Sequence, residues 1–466
     1  MDRGRSFLPV ILLGLAALYI GTTVPPFQSP DEFDHIERAY LLAQGQFFLE
    51  NRNGLSSGGT IDDGLLEFMS YFANLPHNPD VKLNVGALEQ SATITWSNDR
   101  TYETLPGTGY YFPAIYLPQA FAIWMGQAID LSIAATYQLA RFVTLGTGLI
   151  ILGIAFRMVV PSSITLALFA LPMMLFQSAL PSIDFVSTSL MILALSLFLI
   201  YAKAKNPPSI SGLLVFGATI FVVAGCRLQL SPLILLPLML GFRFRDARAI
   251  SLSLALSFAI IVWYGFAMST TVDLRVATST PTVDVLKFYV TDPAAFMRVF
   301  LATLTTPAIL KSYWLSFLGE LGWLDIRFSG HHYGFLTLLF FATIMATLLT
   351  KERQNDPAVL LTLCAVAVSA FILVFLSLLV SWTPHPAVFV HGVQGRYFLP
   401  IALILAYMTT ANASGSAASV AVRTSDKILL AALFLFSVLL VSQSTKERYF
   451  ETAAHKAIPI EGTQYG

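Results

Sequence analysis

Apolar runs long enough to cross a bilayer recur from one end of this chain to the other, and no other feature limits its fold as much. A helix needs about 20 apolar residues to cross about 30 Å of hydrocarbon, where every backbone N–H and C=O must be paired internally. The spanning elements are therefore expected to be helices. Only 12% of the 466 residues are charged while 56% are hydrophobic, roughly half the charged share of a soluble domain. Runs at about 7–24, 134–157, 161–180, 184–203, 209–226, 229–242, 249–270, 332–350, 357–381, 397–413 and 426–443 predict an all-α, polytopic bundle of eleven spans. The first run follows a basic start, but no small-x-small cleavage site precedes Pro25, so it reads as an uncleaved span.

A twelfth run, 110–129, carries two prolines and a cluster of Tyr and Trp that suits the membrane interface as well as a crossing. The positive-inside rule separates the two. If this run does not cross, Arg3, Arg5, Lys203, Lys205, the Arg243–Arg248 group, residues 351–353, Arg423 and Lys427 share one side. The N-terminus is then cytoplasmic and the C-terminus outside. This divides the chain into a first span (1–24), an outer loop with interfacial helices (25–133), a bundle (134–270), a second outer loop (271–331), a C-terminal bundle (332–443) and a tail (444–466). The glycines and serines of 54–64 read as a mobile stretch. A net charge of zero excludes a nucleic-acid partner. Cys226 and Cys364 fall in apolar runs and read as packing thiols.

"SPDEFDHIERAYLLAQG" (29–45) places unusual charge just after the first span. Much of it is explained by folding alone. Ser29 and Glu32 form a capping box, Phe33, Ile36, Tyr40 and Ala43 repeat at helical spacing, and Gly45 supplies a stop. Asp34 and Arg38 are four apart and suited to pair, giving an amphipathic helix on the outer membrane surface. Asp31 and His35 are left over on one face. An ionised Asp31 near the N-terminal dipole suits a general base, and with His35 and Glu32 or Asp184 it also suits a divalent metal; spacing leaves both open, beside a purely structural role.

A first span followed by a long outer loop opening on "SPDE" resembles the GT-C superfamily of integral-membrane glycosyltransferases. More specifically, "PDEFDHIERAYLLAQGQ" (30–46), "YYFPAIYLPQA" (110–120), "LARF" (139–142), "LPSIDFVS" (180–187), "LGWLD" (321–325) and "GVQGRYFLP" (392–400) resemble the bacterial membrane family of unknown function 2142. The resemblance implies a GT-C-like bundle in the bacterial inner membrane with an extracytoplasmic site. There the first-loop acids Asp31 and Glu32 act as catalytic base or metal ligand, and Asp184 in the second outer turn joins them. Where the family pattern leads one to expect lysine, this chain has Arg227.

Glycosyl transfer from a lipid phosphate also needs cations to steady the leaving phosphate. Arg141, Arg227 and Arg396 fall near the outer ends of spans, where ionisable groups are costly unless paired or used. Arg396, with Gln394 and Tyr397 beside it and Gly395 permitting close approach, is the strongest phosphate candidate; snorkelling competes for Arg227, and helix capping for Asp184. His35 and Asp184 are supporting residues. Trp323 reads as interfacial or as a platform for a sugar face. Two functions follow: transfer of a sugar from a polyprenyl-phosphate donor to a cell-envelope glycan, lipid or protein, or non-enzymatic transport of a lipid-linked saccharide. Polar groups gathered at one face favour the first, since transport places them near mid-membrane.

Overall fold

The computed structural model describes residues 7–275, 282–350, 356–412 and 424–450. Helices run from α1 (Leu8–Gly21) and α2 (Glu32–Ala43) through an outer segment with α3 (Asp63–Ser70), α4 (Val85–Ser91) and α5 (Leu117–Ala128). There follow α6 (Ile133–Met158), α7 (Ser163–Phe169), α8 (Pro172–Ser178), α9 (Ile183–Lys203), α10 (Ile210–Cys226), α11 (Leu235–Phe244) and α12 (Ala247–Thr270). The chain closes with α13 (Thr282–Thr291), α14 (Pro293–Thr305), α15 (Pro307–Gly319), α16 (Gly330–Thr350), α17 (Pro357–Ser381), α18 (Leu399–Tyr407) and α19 (Thr424–Tyr449). The all-α bundle is as expected. Its few strands are short antiparallel pairs: β1 (Gly58–Asp62) with β2 (Arg100–Thr104), β3 (Val159–Val160) with β6 (Ala411–Asn412), and β4 (Glu320–Leu321) with β5 (Ile326–Arg327).

The spans are less regular than eleven uninterrupted crossings. Among the described residues α6, α9, α12, α16, α17 and α19 are each long and apolar enough to cross; α1, α10, the Leu228–Phe244 stretch and the Gly395–Tyr407 stretch are shorter apolar helices. Proline accounts for much of the difference, because it lacks an N–H and pushes the residue before it out of the α region. The run 161–180 breaks between α7 and α8 at Leu171–Pro172, and 229–242 begins as a 3-10 turn containing Pro232. The run 397–413 also opens on a 3-10 turn, Gly395–Phe398.

Among its described residues the supposed loop 271–331 is mostly helical. Within it α14 and α15 are apolar enough together to count as a span but meet at a bend of 72°. Upstream of α13 the Val272 N–H donates to Ser57 Oγ (2.7 Å), and after α15 the Trp323 indole N–H donates to Phe27 O (2.9 Å). Val272 and Trp323, on either side of α13 to α15, thus both contact the segment 25–62. At the other end of the bundle β3 pairs with β6, and the Arg243 guanidinium donates to Asp356 (2.6 Å).

The outer segment 25–133 is folded. Residues 58–62, inside the stretch read as mobile, form β1, and Ser57 N–H donates to Val272 O (2.8 Å). Helix α5, in the ambiguous 110–129 run, has 12 residues, a rise of about 18 Å that falls short of the hydrocarbon thickness. It presents Leu117, Phe121 and Trp124 outward and buries Gln119, Ala120 and Ile123. Helix α2 ends as its sequence indicates, with Gly45 at φ +84° and paired Gly45 N–H to Leu42 O and Gln46 N–H to Leu41 O bonds. It does not lie on the membrane surface, however. Glu32, His35, Glu37 and Arg38 are all buried, enclosed by α5, β1 and the turns at 106–116.

Near the far end of the sequence, Gly395 allows the turn before α18 to press on α15. Its N–H donates to Ser316 Oγ (2.7 Å), and a Cβ would stand 2.1 Å from Tyr313 O and Phe317 N. Gly395→Ala must push the turn and α15 apart, so thermal unfolding in detergent is expected to show a loss of about 1–3 kcal/mol. An unchanged midpoint would contradict the contact.

Candidate active site

The loop from Thr22 to Asp31 has no regular structure, so its backbone groups are satisfied by side chains. Arg141, one-third of the way along α6, donates to Gly21 O, Val24 O and Pro25 O at 3.0 Å and, through Nε, to the Tyr137 hydroxyl (3.1 Å). The Tyr137 hydroxyl in turn makes a short hydrogen bond to Glu32 Oε1. Glu32 also accepts from Phe27 N–H (3.2 Å) and Ser29 N–H (2.9 Å), but this is only half of the expected capping box, because α2 starts at Glu32 after Asp31 and no side chain caps it. Two expectations are corrected here. Arg141 has no N–H left for a donor phosphate, and Glu32, fully buried with both oxygens taken, stands behind the site rather than in it as a second catalytic acid. Burial pushes the Glu32 carboxyl above its ordinary range, while the Arg141 charge and the hydrogen bonds pull it back.

Held this way, Asp31 becomes the residue before α2, in the left-handed region at φ +63°, with no capping bond from its side chain. That side chain is 56% exposed, and its Oδ2 lies 4.0 Å from Arg396 Nη2. Residues from the start of the chain and from near its end therefore meet at one rim. Arg396 is itself only 9% exposed and sits over the Tyr397 ring at 5.4 Å. Its Nε and the neighbouring Gln394 Oε1 are both buried without a hydrogen-bond partner. An unfilled donor and an unfilled acceptor at the edge of a charged site are what a polar ligand would satisfy.

Asp184 and Arg227 complete the cluster. Ser182, not Asp184, caps α9 by accepting from Asp184 N–H, and the Asp184 carboxylate is free to pair closely with the Arg227 guanidinium. Arg227 ends α10 and is 13% exposed, so it is engaged inside the protein instead of snorkelling, with the Tyr111 ring 6.0 Å away. His35 is buried and its Nδ1 is 2.9 Å from the Tyr116 hydroxyl. Burial drives its pKa down to about 4 against the pull of Asp31 and Asp184, leaving the ring neutral near pH 7. No three His, Cys, Asp or Glu side chains group as a metal site among the described residues. Asp184, one of the three candidate ligands Asp31, His35 and Asp184, is instead paired with Arg227.

Several participants went unrecognised in the sequence. Tyr111 and Tyr116 belong to the aromatic run read as interfacial. Asp34 does not pair with Arg38, whose guanidinium donates to Gln46 O (3.2 Å) and Phe47 O. Asp34 faces Arg275 instead (3.8 Å), which also binds Asp273 (2.8 Å). The i, i+3 spacing from Asp31 was the available signal that Asp34 shares its face.

Burial, then the Asp31 charge, raise the Asp34 pKa to about 6, with Arg275 opposing and Asp273 adding to the rise. The folded state therefore binds this proton more tightly than the unfolded chain, and ionised Asp34 costs stability above about pH 6. Asp34→Asn is expected to stabilise the protein by about 1–3 kcal/mol at pH 7.5. The gain should shrink as pH falls through 6 and vanish below the ordinary carboxylate range; a gain that grows on acidification would contradict the assignment.

No functionally curated protein is similar in sequence to the chain. Two crystal structures of ArnT from Cupriavidus metallidurans are loosely similar in structure, each at 12% identity. The apo structure gives a TM-score of 0.34 over 94% of this chain and 77% of that one. The structure bound to undecaprenyl phosphate gives 0.31 over 96% and 79%. Likeness at that level does not bear on chemistry. Residues 12–405 match the family described as predicted membrane protein (DUF2142), and the chain belongs to that family.

Proposed function

We propose that this protein is a glycosyltransferase that moves a sugar from a polyprenyl-phosphate donor to a hydroxyl of a cell-envelope glycan, lipid or protein. The observation that carries this reading is the pairing of an exposed carboxylate with a buried, incompletely satisfied guanidinium at 4.0 Å, Asp31 with Arg396. Asp31 takes the proton from the acceptor hydroxyl as its oxygen attacks the anomeric carbon. The bond from that carbon to the phosphate oxygen breaks on the opposite face, and its electrons leave with the phosphate, so the configuration inverts. Arg396, with Gln394 and Tyr397 alongside, stabilises the charge that builds on the phosphate, and the Asp184–Arg227 pair, neutral overall, leaves Arg396 as the cation that meets it.

The site belongs, on this reading, to the extracytoplasmic side of a bacterial inner membrane. Lys203 ends the helix that Asp184 begins, and Arg243, Arg245 and Arg248 cluster at the same far end, which the positive-inside rule assigns to the cytoplasm. Arg3, Arg5, residues 351–353, Arg423 and the tail beyond 450 lie outside the described residues. The described residues of the outer segments 25–133 and 271–331 then form the wall of the site, over the membrane bundle.

Purified protein in lipid nanodiscs, supplied with a panel of labelled polyprenyl-phosphate sugars, tests this. Asp31→Asn is expected to lower transfer by roughly 10²- to 10⁴-fold, and Arg396→Gln to weaken donor use while leaving the protein folded. Undiminished transfer by Asp31→Asn would remove it as the base. Movement of lipid-linked sugar between leaflets, with no transfer by the wild type across the panel, would establish transport instead.

A further inference from the structure

We propose that the turn Gly322–Asp325, pinned by Arg448 at the end of α19, is a positioning clasp that sets where Asp31 stands. The turn is built for one purpose on each side. Asp325 uses both carboxylate oxygens: Oδ1 accepts from Trp323 N–H (3.1 Å) and Oδ2 from Arg448 Nε (2.8 Å). The rest of the Arg448 fork donates to Val81 O (3.0 Å) and Leu75 O in the first outer segment, and the Arg448 and Asp325 side chains are only 5% and 8% exposed. From this buried anchor the Trp323 indole reaches to Phe27 O (2.9 Å), with its ring beside Phe33 and His77.

Phe27 is the point where the loop carrying Asp31 is gripped from both directions. Its N–H goes to Glu32 and Tyr137, its ring stacks on Phe33 at 4.7 Å, and its carbonyl goes to Trp323. Arg141 fastens the loop nearer α1, at Gly21, Val24 and Pro25, whereas Trp323 acts at Phe27, on the carbonyl that Glu32 and Tyr137 leave free. A directional N–H···O bond fixes distance and angle in a way that apolar packing does not. The Asp31 to Arg396 separation of 4.0 Å is longer than a hydrogen bond, and nothing in that contact would hold the loop against a small displacement. Asp325, Arg448 and Trp323 are thus positioning residues that act through the loop and touch no substrate.

The clasp rests on the reading of Asp31 as base, and its test separates the two. Trp323→Phe keeps an aromatic ring and deletes the one N–H. In the nanodisc transfer assay it is expected to lower kcat roughly 10- to 100-fold, since misplacement of about 1 Å has that effect. Donor KM should stay within about twofold and the unfolding midpoint near that of the wild type. A second readout needs no activity. With Cys226 and Cys364 replaced by alanine, Asp31→Cys and Arg396→Cys are joined by a short bifunctional thiol reagent, and adding Trp323→Phe should cut the yield several-fold. A fall in yield together with no transfer by the wild type across the donor panel supports the clasp and removes the enzymatic reading. An unchanged yield, or a fall that accompanies loss of the folded protein, overturns the clasp.

Discussion

Everything at the candidate site depends on how an irregular loop is held still. Between α1 and Asp31 the backbone makes few bonds with itself, and Arg141, Tyr137 and Glu32 supply what is missing. An arginine buried near hydrocarbon is costly unless all its hydrogen bonds are made, and here neutral carbonyls and a hydroxyl take them while Glu32, one hydroxyl away, balances the charge. The arrangement trades two ionisable residues for the fixed position of a third. Asp31 keeps an exposed carboxylate because Glu32 takes the bonds that would otherwise engage the start of α2.

The charges at the rim follow a consistent electrostatic order. Asp184 and Arg227 neutralise one another, His35 is kept neutral by burial, and Asp34 shares Arg275 with Asp273. Arg396 keeps a buried Nε without a hydrogen-bond partner, and Asp31 is the acid that water reaches most freely among these groups. Burial with incomplete satisfaction is tolerated where a ligand completes the set. That is why the pair, rather than the larger cluster, is the focus of the proposed chemistry.

Much of the fold was legible because membrane physics leaves few choices. Apolar runs, the reach of Glu32 to Ser29 N–H and the stop at Gly45 all stood in the sequence as they stand in the structure. Prolines 172 and 232 were also visible, but hydropathy averages over them and so predicted unbroken spans where the backbone breaks. The helices α14 and α15 were hidden because two short apolar helices joined by a bend read as a long outer loop. Charge misled in α2: Arg38 and Glu37 look like a solvated face, and only the folded outer segment shows that carbonyls and burial await them. The convergence of Asp31, Asp184, Arg227 and Arg396 was inferable from topology, whereas Trp323, Arg275 and Arg448 act through backbone carbonyls or distant carboxylates that no spacing rule reveals.

The central claim is that Asp31 and Arg396 serve one substrate from opposite ends of the sequence. A cryo-electron microscopy structure of the nanodisc-embedded protein with a polyprenyl-phosphate sugar tests it most directly. The account predicts the lipid phosphate within hydrogen-bonding distance of Arg396, with the anomeric carbon between that phosphate and the Asp31 carboxylate. A phosphate bound elsewhere, with Arg396 Nε still unfilled and Asp31 facing only water, would contradict it.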